Sequence, residues 1–167
     1  MPTEPKADFR QILRILTKHQ VRFIVVGGVS AVLQGVPFST FDLDVVHSRD
    51  PQNVERLLRA LESIEAHYRI NPERRAKPNA SHLSSAGHQL LMTSFGPLDV
   101  LGMIGQGHEY AELQTHAVEL DIGGGIKVSV LDLKTLIQMK EETAGEKDRA
   151  ILPLLRRTLE EKSRDRK

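Results

Sequence analysis

The chain has 167 residues and 18.7 kDa, the size of one ordinary domain with a substantial core, and it contains no cysteine, which excludes disulfides and thiolate metal sites. Lys plus Arg number 23 and Asp plus Glu 22, so the overall charge gives no general attraction to nucleic acid or anionic membrane, and any such contact has to be local. The N-terminal MPTEPKADFR lacks an apolar signal core and no apolar run approaches the ~20 residues of a membrane span, so a cytoplasmic protein without membrane contact is the expectation.

In chain order, residues 1 to 7 read as a frayed lead. Asp8 with Gln11 resembles a capping box, opening a helix whose Phe9, Ile12, Leu13 and Leu16 share a face. Val21 to Val26 is an apolar, β-branched run that predicts a buried strand ending at Gly27. A short helix over Ser30 to Leu33 closes near Gly35, and Pro37 blocks its continuation. Phe41 to His47 reads as a second strand, with His47 at its watery end. Asp50-Pro51 then offers an N-cap and a favoured first-turn proline to a helix striped by Val54, Leu57, Leu58, Leu61 and Ile64.

A strand over Ala66 to Ile70 leads to a polar loop from Asn71 to Ala80 holding Arg74, Arg75 and Lys77, basic residues placed either in solvent or to guide an acceptor such as RNA. From His82 to Met103 the pattern is strand-like with breaks at Gly87 and Gly96-Pro97, one strand carrying Asp99. Gly105 to Gln114 is a loop with a brief helix. Thr115 to Ile122 and Ile126 to Val130 flank Gly123-Gly124-Gly125 as a hairpin. Asp132 caps a helix in which Leu133, Leu136, Ile137 and Lys140 share a face, Gly145 interrupts it, and a last helix from Glu146 toward Glu161 is kinked or restarted at Pro153. KSRDRK ends the chain as a charged, mobile tail. The seven histidines show no zinc-ligand spacing.

The stretch Val25 to Val46 holds the chemistry. On a strand, side chains at i and i+2 leave the same face, so Asp42 and Asp44 point together, their Cα atoms roughly 6.5 to 7 Å apart. Carboxylates at that spacing converge on hard divalent ions, magnesium before others and manganese as a substitute, with further ligands drawn from substrate phosphates. Gly27 and Gly28 lack Cβ atoms and precede a helix, which lets a phosphate approach backbone N–H groups, and Ser30 adds a hydroxyl donor.

Strand, glycine pair, helix, strand and DxD in that order resemble the signature of the nucleotidyltransferase superfamily, whose fold is shared with β-type DNA polymerases. Val26-Gly27-Gly28 and Asp42-Leu43-Asp44-Val45 match it, with thirteen residues between Gly28 and Asp42. The resemblance implies an α+β fold, a mixed twisted sheet flanked by helices with a C-terminal helical segment, and a third acid on a later strand, for which Asp99 in Pro97-Leu98-Asp99-Val100-Leu101 is the candidate. The ending, Val128 to Lys140 followed by Lys147-Asp148, resembles small bacterial nucleotidyltransferase-like proteins that include toxins of toxin/antitoxin and abortive-infection systems. The likeness covers roughly residues 21 to 155 and is thin between Ile70 and His88.

Many such relatives carry R-x-T-x-D before the first acid. Here Phe38-Ser39-Thr40-Phe41-Asp42 keeps the threonine and lacks the arginine, leaving Lys140 and Lys147 as the cations for a triphosphate. The resemblance therefore implies a nucleoside triphosphate bound by Gly27, Gly28, Ser30 and Thr40, with magnesium on Asp42, Asp44 and Asp99, and transfer of the monophosphate to an acceptor hydroxyl on RNA, protein or a small molecule. The alternative it leaves open is a fold that has lost catalysis and serves as a binding or regulatory module, with an antitoxin as a protein partner.

Overall fold

The computed structural model describes residues 7–143 and 145–165, and the side chains of 146–148 lie outside that description, as does most of the lead at residues 1 to 7. Seven strands form one mixed sheet in the order β3-β4-β5-β2-β1-β7-β6. β1 (Phe23–Val26) runs antiparallel to β2 (Leu43–His47) and parallel to β7 (Lys127–Leu131), while β2 runs parallel to β5 (Gly96–Leu101). β4 (His88–Thr93) and β3 (His67–Tyr68) extend one side by antiparallel pairing, and β6 (Ala117–Asp121) closes the other side as a hairpin with β7.

Alternation along the central strands serves two cores, one on each face. Val25, Leu43, Val45, Leu98 and Val100 face α1 (Phe9–Lys18) and α3 (Pro51–Ser63), which bring Ile12, Leu13, Leu16, Val54, Leu57 and Leu61. Ile24, Val26, Val46 and Leu101 face α2 (Gly27–Leu33), α6 (Leu133–Thr143) and α7 (Glu146–Asp165) through Ala31, Leu136, Ile137 and Leu155. The helix starts follow the cap chemistry in the sequence: Asp8 accepts from Gln11 N at 3.2 Å, Asp50 from Gln52 N at 3.1 Å and Asp132 from Thr135 N at 2.7 Å. The glycine triplet forms the β6–β7 turn, all three residues having positive φ.

Several expectations need correction. β2 begins at Leu43, so Asp42 precedes the strand instead of lying in it. α2 starts at Gly27, three residues earlier than expected, because the Gly27 φ of +65° turns the chain sharply at the end of β1. The strand expected over Ala66 to Ile70 reduces to His67–Tyr68. His82 lies in the short helix α4 (Ala80–Ser84), not a strand, because the Asn79 side chain accepts from His82 N and the His82 ring accepts from Asn79 N. α7 passes through Pro153 without a break and carries Lys162 to Asp165 of the expected tail in helical form. His47, expected in water, is 1 % exposed, its Nδ1 3.1 Å from Ser48 O, and burial lowers its pKa from 6.5.

Candidate active site

The strand register assembles the acids. Val26, Asp44, Asp99 and Leu90 are direct partners across β1, β2, β5 and β4, so the two aspartates occupy neighbouring places in one row of the face toward α6 and α7. Beside the apolar Val46 and Leu101 on the same face, this row carries two carboxyls. Asp42, one step before β2, is close enough for its charge to act on Asp44. Burial comes first among the causes that push the Asp44 pKa from 3.8 up to about 8, followed by the Asp99 carboxyl beside it and then Asp42, while Lys140 of α6 pulls the other way.

Gly27 fits against Asp44, and Gly28 against the loop before β2. A Cβ on Gly27 would overlap the Asp44 Oδ2, and a Cβ on Gly28 would come within 2.6 Å of Thr40 Oγ1 and 3.0 Å of Phe38 Cζ. Both positions therefore demand glycine for close approach, Gly27 for its φ as well. Thr40 Oγ1 in turn donates to Asp42 O at 3.3 Å, tying the loop before β2 to the turn after β1.

Gly27, Gly28, Thr40 and Lys140 line one cleft of about 440 Å³, together with the apolar Phe38, Leu136 of α6 and Leu154 of α7. A smaller hollow of about 150 Å³ shares Gly27, Leu136 and Lys140 with it and reaches Asp44. A continuous surface thus runs from an apolar slot past two glycines and a lysine to Asp44. Of the residues singled out in the sequence, Gly27, Gly28, Thr40, Lys140, Asp42, Asp44 and Asp99 come together. Ser30 does not line the cleft: it is fully buried and its Oγ has no hydrogen-bond partner. The Lys147 side chain lies outside the described residues.

Two contributors escaped the sequence reading. The apolar wall from α6 and α7 carried a signal, the amphipathic spacing of Leu136, Ile151, Leu154 and Leu155, but only packing says which face lines a cleft. Arg69 carried none. It stands just beyond β3, its Nη1 donates to Leu91 O at 2.8 Å, and its Nη2 lies 2.7 Å from Asp99 Oδ1.

Among the described residues no three His, Cys, Asp or Glu side chains stand as a complete metal-ligand set. The acids nevertheless fit a hard divalent ion. Asp44 Oδ1 and Asp99 Oδ1 are both buried without a hydrogen bond, and the neighbouring Asp99 carboxyl raises the cost of ionising Asp44, which a cation at Asp44 would relieve.

Three solved structures share this architecture. A protein from Thermotoga maritima assigned as a nucleotidyltransferase matches with a TM-score of 0.55 and 19 % identity, covering 92 % of this chain and 91 % of its own. The lincosamide antibiotic adenylyltransferase LnuA, solved with lincomycin bound, matches at 0.60 and 14 % identity over 92 % of this chain and 98 % of its own. The antibiotic-resistance factor ANT(2'')-Ia matches at 0.60 and 15 % identity over 90 % and 82 %. The chain has the nucleotidyltransferase fold. No protein-family model matches its sequence, and no curated protein does.

Proposed function

We propose that the protein is a metal-dependent nucleotidyltransferase, moving a nucleoside monophosphate from a triphosphate to an acceptor hydroxyl. The observation that carries this is the register pairing of Asp44 with Asp99 beside a glycine-lined cleft that takes in Lys140. The cleft's apolar slot, with Phe38 on its wall, suits a nucleobase, and Gly27 and Gly28 let the phosphates approach the backbone. Lys140 supplies positive charge near the phosphates and Asp44, where the sequence lacks the expected arginine. A magnesium ion held by Asp42 and Asp44, with Asp99 on the acceptor side, would neutralise charge on the triphosphate and on the phosphorus in transit. The acceptor oxygen bonds to the α-phosphorus as the bond to the β-phosphate bridging oxygen breaks, and pyrophosphate leaves. In this reading Asp99 orients the acceptor hydroxyl and takes its proton at a carboxylate oxygen.

LnuA is a lincosamide antibiotic adenylyltransferase and ANT(2'')-Ia an antibiotic-resistance factor, which puts small molecules such as antibiotics beside RNA and protein among the acceptors to test. The experiment is incorporation of α-labelled nucleotides with magnesium or manganese into pools of the three acceptor classes. Wild type should label one pool, and Asp42→Asn and Asp44→Asn should each reduce labelling at least about a thousandfold. Full activity in both variants would sink the assignment. Phe38 at the arginine position supports a second reading, a nucleotide-binding module without transfer and with a protein partner such as an antitoxin. Magnesium-dependent triphosphate binding with no labelling in any pool would select it.

A further inference from the structure

Arg69 is absent from every motif above, yet it is the cation set directly against the third acid. Its guanidinium is anchored on β4 by the bond to Leu91 O, and the side chains of Arg69 and Asp99 are 26 % and 14 % exposed. The contact to Asp99 Oδ1 is an ion pair out of hydrogen-bonding alignment, since that oxygen has no hydrogen-bond partner. Asp44, the next carboxyl along the row, meets a different cation: Lys140, which shares the cleft with the glycines. The acids are thus divided. Asp44 reaches the smaller hollow beside the cleft, with Asp42 one step before it in the chain, whereas Asp99 is held by Arg69 from the β3 edge of the sheet.

We infer that Arg69 takes the cation position at Asp99 in the resting protein, so that the site accepts one divalent ion through Asp42 and Asp44 and admits a second only when the guanidinium leaves Asp99. This rests on the metal-dependent reading of the acids. A fixed positive charge within 3 Å of a carboxylate oxygen repels an incoming cation and competes for the same lone pairs. Because the guanidinium is a quarter exposed and tied by one backbone bond, it can be displaced, and the competition amounts to about tenfold in affinity instead of outright exclusion.

The test counts manganese per chain on the full-length protein without nucleotide, by the resonance signal of free Mn2+ and by calorimetry, with thermal unfolding to verify that each variant folds. Wild type should bind one ion, with a second at least about tenfold weaker. Arg69→Gln should tighten the second site about tenfold, Arg69→Lys should weaken it again, and Asp99→Asn should leave one site whatever stands at 69. A second-site affinity in Arg69→Gln within about twofold of wild type, or two equal sites in wild type, overturns the role of Arg69 alone. No manganese binding by wild type or any variant overturns the metal reading of the acids and this inference with it.

Discussion

Asp44 is the residue at which the site's electrostatics become a stability term. With its folded pKa at about 8 and the ordinary value of an aspartate carboxyl at 3.8, it keeps a proton in the native state that the unfolded chain has already released. Between those values the native state binds more protons than the unfolded one, so stability falls as pH rises from about 4 to 8. Urea unfolding in a chelator should show this decline. Asp44→Asn should flatten it and be at least about 1 kcal/mol more stable than wild type at pH 8. Added magnesium should restore wild type at pH 8 and leave the variant unmoved. Parallel pH profiles for the two proteins would show that Asp44 is ionised at neutral pH. Gly27 belongs to the same balance, since its backbone approaches the carboxylate where any side chain would displace it.

At the scale of elements, α5 (Tyr110–Leu113) is tied to α6 by one imidazole. His108 Nδ1 lies 2.6 Å from Glu112 Oε2 and Nε2 3.0 Å from Glu142 Oε2, so both ring nitrogens donate and the ring is held charged. The Glu112 bond first, then the Glu142 bond, raises its pKa above 6.5. A raised histidine stabilises fully below its unfolded value and loses that contribution as pH climbs through the higher folded one. The tie is partly exposed and contributes no more than about 1 kcal/mol. The His108 ring should titrate with a midpoint above 6.5 by NMR, and amide exchange at the C-terminal end of α6 should quicken above that midpoint. In Glu142→Gln the midpoint should fall. An unshifted titration in wild type would remove the tie. Because Gly105 packs on His108, Glu142 and Met139, this tie also borders the hollow that reaches Asp44.

For the whole molecule, the cleft exists because α7 folds back over α6 onto the sheet. Leu155, fully buried in the second core, also lines the cleft, so the same side chain supports stability and shapes the slot. Leu155→Ala should cost about 2–4 kcal/mol in chemical unfolding and weaken triphosphate binding more than manganese binding. Equal weakening of both would mean that the acids and the slot are not separable parts. No helix among the described residues is long and apolar enough to cross a membrane.

The local chemistry was legible in the chain itself. Asp50-Pro51 and Asp132 announced helix starts, the glycine triplet announced a turn, and Gly27-Gly28 with Asp42-Leu43-Asp44 pointed to the candidate site. These are read within a few residues because periodicity, capping and φ preferences act at short range. What only the tertiary structure decided was register and neighbourhood: the pairing of Asp44 with Asp99 at a separation of 55 residues, the contact that Arg69, just beyond the edge strand β3, makes with Asp99, and the burial of His47. Asp42 and Asp44 were expected as a strand pair, yet their meeting with Asp99 depends on β2 lying parallel to β5, a choice made by the packing of both cores and not by any local preference.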